Sequence, residues 1–426
     1  MSTNNSPASP PDASWTAPRD EAASPNQTGA THHAPRVLAV LGLLMAFASI
    51  STDLYLPAMP EMAISLHAST GAVELTISGY LIGFSLGQLL WGPVSDRRGR
   101  RLPIAIGLLL FIAGSAGCAL ASTASMLVSF RAIQAVGACA SVVLARAMVR
   151  DLYTGARAAQ MMSTLMTVMA IAPLIGPSVG GLIVRVASWR AVFWTLVGVG
   201  LVTLALLRTL PETLPPTRRN SEPLWRALAT YASLVGHKRL LGYAGAGGCF
   251  YGATFAYIAG SPFAYMNYHH VSPELYGVLF GAGIVGIMLV NQLNARLLSR
   301  FSGDRLMQAA TLVAAIAGLV LALNAWRDWG GVAGLAVPLF VMVSTTGMIV
   351  ANSIAGALSL FPEIAGSVSA LIGAVQYGTG ILGSALVASF ADGTPSSMGT
   401  VIAVMNICAA LSALILVRPN PLDQHN

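Results

Sequence analysis

The sequence predicts an all-α polytopic membrane protein with twelve transmembrane helices in two six-helix bundles. Hydrophobic residues make up 55% of its 426 residues and charged residues only 9%, whereas soluble domains contain about 25% charged residues. A hydropathy window of about 19 residues finds twelve apolar segments that are long enough to cross a bilayer. One long polar connection divides these segments six and six, which is typical of transporters built from two bundles.

The twelve segments follow one another with short connections. Their expected bounds are 36–58, 72–93, 102–121, 125–148, 159–184, 190–208, 241–263, 275–298, 306–325, 332–354, 366–389 and 397–416. We therefore expect an N-terminal bundle over 36–208 and a C-terminal bundle over 241–417. Residues 1–35, rich in Pro, Ser, Ala and Asn, predict a disordered cytoplasmic tail, and 418–426 predict a second cytoplasmic tail.

The connection over 209–240 is the longest in the chain and is expected to be a cytoplasmic linker. Its prolines, beginning with Pro211, cannot continue a helix. Farther on, apolar residues recur at helical spacing around Trp225, with basic residues nearby. This pattern fits a short helix on the inner leaflet as well as it fits an ordinary linker.

The segment Gly92–Arg101, GPVSDRRGRR, fixes the orientation of the spans because its four arginines cannot enter lipid. Loops rich in Lys and Arg lie on the cytoplasmic side. With both termini inside, three basic residues lie outside (Arg185, Arg190 and Arg327) and one lies within a span (Arg131). The other 19 of 23 are cytoplasmic (23 − 3 − 1). We expect a multi-pass protein of the inner (plasma) membrane with both termini in the cytoplasm.

Composition and motifs exclude several functions. The net charge of +7 comes from arginines in short loops, where membrane orientation explains them, so we expect no nucleic-acid partner. The four cysteines lie in apolar segments, as small buried hydrophobes do, and predict neither disulfides nor a metal site. The sequence has no phosphate loop, HExxH or CxxC motif, and its loops are too short for a catalytic domain. We expect no enzyme activity and no direct use of ATP.

Charges within apolar segments are costly, at about 2.5–3.5 kcal/mol each, and we assign a functional expectation to two of them. At 1.5 Å per residue, Asp53 in the first span and Arg131 in the fourth reach similar depths in the outer half of the bilayer. We expect them to pair, either directly or through Gln134. Protonation of Asp53 would then weaken its attraction to Arg131 and let the helices repack. Alternatively, Asp53 merely marks the outer end of its span before Pro57.

Other polar residues lie at the first outer loop and within the spans. Glu61 and Glu74 flank the first outer loop, where we expect both to be solvated. The amide side chains within the spans either line a cavity or bond between helices, and for any one of them we expect bonding between helices; these residues are Gln88, Asn291, Asn352 and Gln376.

The fifth span contains APLIGPSVGG over 172–181. Pro173 and Pro177 each remove a backbone hydrogen bond, and Gly176, Gly180 and Gly181 let a neighbouring helix approach closely. The stretch is either a bent packing seam or the place where the helix flexes or seals, and these two roles are compatible.

Asp96 in the arginine loop is expected to bridge toward Arg150 and Asp151 at the inner end of the fourth span. Such a cluster can hold the cytoplasmic side shut in one state and release it in another. Alternatively, the arginines only set the topology.

These stretches resemble the major facilitator superfamily and, within it, the bicyclomycin/chloramphenicol-resistance (Bcr/CflA) branch of drug:proton antiporters. The similarity covers about 36–417, is strong in the first half and includes STDLYLPAMP, GYLIGFSLGQLLWGPVSDRRGRR, RAIQAVGACASVVLARAMVRDLY, IAPLIGPSVGG, LPETLPP and AGSPFAYM. The connection NARLLSRFSGDRL of the second half is a degenerate arginine loop, so no gating role is carried onto it. The tail over 1–35 has no counterpart in the family pattern.

The resemblance implies roles for three groups of residues. Asp53 and Arg131 would belong to the proton-coupled drug site. A cytoplasmic gate would be formed by Gly92, Asp96, Arg97, Gly99 and Arg100. An antiporter seam would be formed by Pro173, Gly176, Pro177 and Gly181.

We therefore expect a proton-coupled multidrug efflux transporter that exports small, mostly apolar compounds by alternating access. The proton gradient is its energy source, and we expect no cofactor and a monomer in the bilayer. Export of a metabolite such as an amino acid is the alternative, whereas the seam in the fifth span argues against proton-coupled import. Aromatic residues expected to line the drug cavity are Tyr55, Tyr80, Phe84, Phe255 and Tyr377.

Overall fold

The computed structural model describes residues 34–153, 155–219, 234, 236–361 and 364–417. These residues form helices and contain no strand, which confirms the all-α class. The α-helices are α1 (Ala34–Asp53), α2 (Met59–Ser65), α3 (Thr70–Arg98), α4 (Arg101–Ala119), α5 (Ala124–Leu152), α6 (Gly155–Val186), α7 (Trp189–Leu207), α8 (Lys238–Pro262), α9 (Pro273–Leu297), α10 (Gly303–Arg327), α11 (Gly331–Ser344), α12 (Thr346–Leu360), α13 (Ala365–Ser389) and α14 (Ser396–Leu411).

The helices make twelve membrane spans, because α1 with α2 and α11 with α12 each form one span. Within the described part of the chain, eleven spans are long and apolar enough to cross a bilayer by length and composition. The remaining long helix is α8, in which glycine and tyrosine dilute the apolar residues. Many exposed side chains on the helices are large and apolar, among them Leu89, Val278 and Ile316. Such a surface suits contact with lipid.

Local sequence signals set the ends of several spans. The hydroxyl groups of Ser69, Thr123 and Ser272 cap the starts of α3, α5 and α9 by accepting a backbone N–H from the first turn. Gly99, with φ +86°, separates α3 from α4. The helix α3 extends to Arg98, beyond the expected end at 93, because hydropathy falls at the arginines while the backbone remains helical.

Helix contacts divide the spans into two bundles. In the first, α5 packs against α3 and α4, α7 against α4, and α1 against α5 and α6. In the second, α8 packs against α13 and α14, α10 against α14 and α11, and α9 against α11. The main contacts between the bundles are those of α3 with α13 and of α6 with α9. The two-bundle architecture is therefore confirmed.

Three expectations fall mainly on residues outside the described ranges. They concern the tail over 1–35, of which 1–33 are not described, the helix around Trp225 in the linker, and the second tail over 418–426. The exact limits of the two bundles and of the linker remain predictions.

Candidate functional site

A cavity lies between the two bundles, and both contribute to its wall. From the first bundle it is lined by Ala48, Ser49, Thr52, Asp53, Tyr80, Leu81, Phe84, Met169 and Pro173. From the second it is lined by Tyr251, Thr254, Phe255, Tyr257, Ile258, Phe280, Ile284, Ile287, Val343 and Tyr377. Most of these side chains are apolar or aromatic. The cavity therefore suits a largely apolar small molecule with few polar groups.

Asp53 is the carboxylate of this cavity wall. It is the last residue of α1 and is 5% exposed. Among the described residues, it forms no hydrogen bond and no ion pair within 4.0 Å, although the charge of Arg131 acts on it. Asp53 therefore lies at the cavity with no direct partner to compete with a proton or a ligand.

Arg131 lies behind the cavity wall and is fully buried in α5. Its Nη1 donates to the carbonyl of Ser51 at 2.9 Å and to Oε1 of Gln134 at 2.6 Å. The guanidinium carbon lies 4.1 Å from the ring centroid of Tyr55 and 4.4 Å from that of Tyr80. Two cation–π contacts and two hydrogen bonds therefore fix this charge beside the end of α1.

The expected direct pairing of Asp53 with Arg131 is wrong in this structure, and so is a bridge through Gln134. Gln134 accepts from Arg131 and donates its Nε2 to Ser115 Oγ at 2.7 Å. The guanidinium instead bonds to the backbone carbonyl of Ser51 in α1, two residues before Asp53. Arg131 therefore acts on Asp53 through its electrostatic field.

Four of the five expected aromatic residues line the cavity: Tyr80, Phe84, Phe255 and Tyr377. Tyr55 does not, because the chain turns inward after α1 and buries this ring completely. Its hydroxyl bonds to Thr76 at 3.0 Å, and one face of its ring covers Arg131. Tyr55 therefore stabilises the buried arginine and does not contact the cavity.

The proline–glycine stretch of α6 lies against both bundles. Pro173 lines the cavity. A Cβ added at Gly176 would lie 3.0 Å from Asp53 Cβ, and one at Gly181 would lie 3.0 Å from the carbonyl oxygen of Pro273 in α9. The tightest site is Gly180, where an added Cβ would lie 1.9 Å from the Leu54 carbonyl oxygen. The stretch, which also contains Pro177, thus joins the carboxylate of the first bundle to the start of α9.

Arg100 organises the arginine loop. Its Nε donates to Asp151 Oδ2 at 2.8 Å and its Nη1 to Asp96 Oδ1 at 2.8 Å. Its backbone N–H donates to Glu212 Oε1 at 2.8 Å. Thr213 Oγ1 donates to Asp151 Oδ2 at 2.9 Å. These contacts tie α3, α4 and α5 to the segment after α7, all within the first bundle.

The remaining residues of the expected gate divide into two kinds. Gly99 is required by its positive φ and by Glu212, whose Oε2 would lie 2.7 Å from an added Cβ. Gly92 has open space at its Cβ position, and the exposed Arg97 makes no hydrogen bond or ion pair among the described residues. Gly92 and Arg97 therefore lie outside the cluster of contacts around Arg100.

Glu212 supplies a pH-dependent contribution to this cluster. Partial burial acts to raise its pKa, but backbone N–H donors of Arg100, Leu214 and Arg101 outweigh burial and hold the pKa below its usual 4.5. A depressed pKa means that the carboxylate stabilises the fold above pH 4.5, and that this contribution is lost as pH falls through the folded-state pKa.

We expect Glu212→Gln to lower the unfolding free energy at neutral pH by no more than about 1 kcal/mol, because solvent screens this largely exposed group. The difference from wild type should disappear well below pH 4.5. Thermal unfolding of both proteins at neutral pH and well below pH 4.5 measures this difference in stability. Glu61→Gln on α2 is the control, and an unchanged difference at acid pH would contradict the assignment.

The bundles are closed against each other on the membrane face opposite the arginine loop. There, Ser78 Oγ lies 2.8 Å from Ser384 Oγ, and Arg185 Nη1 donates to Glu274 Oε1 at 3.3 Å. Among the described residues, no hydrogen bond or ion pair joins the bundles on the side of the arginine loop. The cavity is therefore sealed from the opposite face.

A profile of the Major Facilitator Superfamily matches residues 41–384. The chain belongs to this superfamily. It is 35% identical over 380 residues to an uncharacterised MFS-type transporter, YdgK, of Bacillus subtilis, covering 88% of this chain and 93% of that protein. It is 29% identical to a bicyclomycin resistance protein homologue of Haemophilus influenzae (88% and 93% covered) and 30% identical to multidrug resistance protein D of Escherichia coli (89% and 95%). The resemblance to the Bcr/CflA branch is thus confirmed.

A solved structure shares the fold of this major facilitator transporter. The crystal structure of a D-xylose–proton symporter superposes with a TM-score of 0.73 at 18% identity, covering 91% of this chain and 98% of the symporter. At this identity the likeness concerns the fold.

Sequence reasoning missed several residues at the transporter's cavity. Tyr251 lies one helical turn before Phe255 in α8, and that spacing is a signal for a shared face. Tyr257 and Phe280 stack with ring centroids 5.5 Å apart. No sequence signal identifies this pair, since their helices meet only in the folded bundle.

A second arginine within a span was also missed. Arg146 lies in α5, half buried, and its Nε is buried without a hydrogen-bond partner. Its charge acts on Tyr251 and Tyr377 of the other bundle. It is one of the 19 basic residues expected on the cytoplasmic side, although the expected span of 125–148 contains it.

Proposed function

We propose that this transporter exports small, mostly apolar compounds from the cytoplasm in exchange for protons, as a drug:H⁺ antiporter. The observation that carries the proposal is the cavity that Asp53 shares with aromatic residues of both bundles, such as Phe84 and Phe255. Apolar walls favour flat apolar compounds, and a carboxylate without a direct partner is available to a proton. Relatives named for multidrug, bicyclomycin and chloramphenicol resistance support drugs as the substrate class.

The proposed exchange depends on the position of Asp53 between the charge of Arg131 and the helix α6. Arg131 is held in place by Ser51 and by two aromatic rings. Its positive charge attracts Asp53 while Asp53 is ionised. Protonation removes this attraction. Because Gly176 of α6 packs directly against Asp53, a shift of the end of α1 changes the packing of α6, which also contacts α9.

The available energy suits such an exchange. One charge that crosses 100 mV releases about 2.3 kcal/mol. At about 1.4 kcal/mol per tenfold ratio, this sustains a gradient of roughly fifty-fold for a neutral compound. The proton gradient is then sufficient as the energy source, without a cofactor and without covalent chemistry.

We also propose the membrane, orientation and oligomeric state of the transporter. The basic residues of the arginine loop favour the cytoplasmic side for that face and for both termini. The protein would then be a multi-pass monomer of the inner membrane, and this structure would have its cavity sealed from the outside.

The test uses inside-out vesicles with an acid interior and a fluorescent pH reporter. Chloramphenicol, bicyclomycin and a panel of amino acids are added one at a time. We expect an apolar drug to release protons from wild-type vesicles and Asp53→Asn to abolish this release, because an amide cannot bind and release a proton at physiological pH. Asp328→Asn, which alters an exposed carboxylate, should behave as wild type.

Each outcome decides one part of the proposal. Proton release in Asp53→Asn at the wild-type rate would leave antiport intact and remove Asp53 from the coupling path. Release by amino acids alone would establish the metabolite exporter instead. If no compound moves protons through the wild-type protein, the antiport proposal is wrong.

A further inference from the structure

Glu74 is buried at the closed interface between the bundles and not solvated as its sequence position suggested. It lies in the second turn of α3, is 3% exposed, and its Oε2 has no hydrogen-bond partner. It is far from the arginine loop, on the face where Ser78 meets Ser384. The expectation was wrong because residues of the C-terminal bundle cover the start of α3.

The carboxyl group of Glu74 faces a small polar cavity formed by both bundles. The other bundle contributes Asn267 after α8 and Thr394 and Ser397 before and within α14. Close packing surrounds it: a Cβ added at Gly71, one turn earlier, would lie 2.2 Å from the carbonyl oxygen of Ala388. The cavity therefore exists only while the two bundles meet on this face.

No charge compensates Glu74. The titratable groups on the elements packed around it are Glu61 and His67 of α2 and its loop, Tyr265 after α8 and Asp392 before α14. Asp392 accepts instead from Thr394 and Ser396. Among the described residues, no basic side chain bonds to Glu74, and no neighbouring charge acts on it.

Burial without a partner separates the two protonation states of this group energetically. A carboxylate loses its hydration when the bundles close and gains no cation in return, whereas a neutral carboxyl is far less costly to bury. A neutral carboxyl can also donate its O–H to the oxygen acceptors that line the cavity, such as Asn267 or Thr394. Closure of this face therefore favours the protonated form of Glu74.

We propose that Glu74 is a proton-binding site, filled from the solvent of the face opposite the arginine loop, whose occupation permits that face to close. Its carboxylate takes one proton from water while the interface is open and becomes the neutral acid that is buried on closure. The part of this inference that concerns coupling rests on the proposed antiport. A proton bound from outside is then a condition for sealing the outside, in addition to the proton at Asp53.

The test measures the distance between the bundles on this face as pH is varied, without any substrate. Spin labels are placed at Ser122→Cys and Trp329→Cys, with Cys249→Ser and Cys408→Ser to remove accessible thiols. The background is Asp53→Asn, so that the buried carboxyl group of Asp53 does not titrate. We expect the ratio of closed to open protein in membranes to rise with acidity, by up to about tenfold per pH unit.

In this background Glu74→Gln should remain closed and independent of pH, because an amide is permanently neutral. Glu74→Met, which is also neutral, should do the same and serves if the glutamine variant does not fold. Glu61→Gln on the same face is the matched control and should titrate as the parent does. A parent that does not respond to pH, or a folded Glu74 variant that retains the parent's response, would overturn the inference.

The distance measurement is independent of transport. If Glu74→Gln abolishes the pH response while no compound releases protons from wild-type vesicles, the proton site stands and the antiport proposal fails. If antiport is observed while the distance in the Glu74 variants still responds to pH, the antiport proposal stands and the proton site at Glu74 fails.

Discussion

Arg131→Met is expected to abolish drug-driven proton release and to destabilise the first bundle by about 3 kcal/mol. The substitution leaves the Ser51 carbonyl and Gln134 Oε1 without their charged donor in a fully buried site. Each unsatisfied buried group costs about 1–3 kcal/mol, and two cation–π contacts are lost as well. Function fails for a separate reason, because the charge that acts on Asp53 is removed.

Arg131→Lys separates these two effects. Lysine retains the charge but not the planar group that lies between Tyr55 and Tyr80. We expect a smaller loss of stability together with partial proton coupling. Thermal unfolding in detergent and proton release in vesicles measure the two effects independently. Arg150→Met, at an exposed position of the same helix, should leave both nearly unchanged, and wild-type behaviour of Arg131→Met would show that the buried charge has no role.

The fold was predictable because span length and hydropathy are local properties of the sequence. Asp53 and Arg131 were identifiable for the same reason, since a charge within an apolar segment is costly wherever the helix packs. The chemistry of the arginine loop was predictable only in part. Asp151 was expected near the loop, whereas Glu212 lies 112 residues after Arg100 in the chain, and no spacing in the sequence reports their contact.

The failures concern which side of a helix faces which neighbour. Tyr55 was expected at the cavity because aromatic residues suit apolar ligands, yet the turn after α1 directs the ring onto Arg131. Glu74 was expected in water because it lies near a span end, but the second bundle covers that end. In an all-apolar span, periodicity distinguishes lipid from protein poorly. Cavity, core and interface positions are therefore decided by packing between distant segments.

The contact between α6 and the end of α1 shows how closely the seam is built. Gly176 and Gly180 of α6 pack against the backbone at Asp53 and Leu54, and the carbonyl oxygen of Leu54 lies directly against Gly180. An added methyl group at Gly180 would lie 1.9 Å from that oxygen, and no side-chain rotation relieves a clash with backbone. The helix must therefore move as a whole, and it would carry Pro173 and Gly176 away from the cavity and from Asp53.

Gly180→Ala is accordingly expected to cost about 3 kcal/mol of stability, at the upper end of the range for overpacked cores, and to reduce drug-driven proton release at least about tenfold. Gly198→Ala in α7 is the matched control, since an added Cβ there meets nothing within 4 Å. On helix propensity alone, alanine should stabilise either helix by up to about 1 kcal/mol, so the two variants should shift the unfolding temperature in opposite directions. If Gly180→Ala instead behaves like Gly198→Ala in unfolding and in transport, the close approach of α6 to Leu54 is not required, and the seam cannot connect Asp53 to α9.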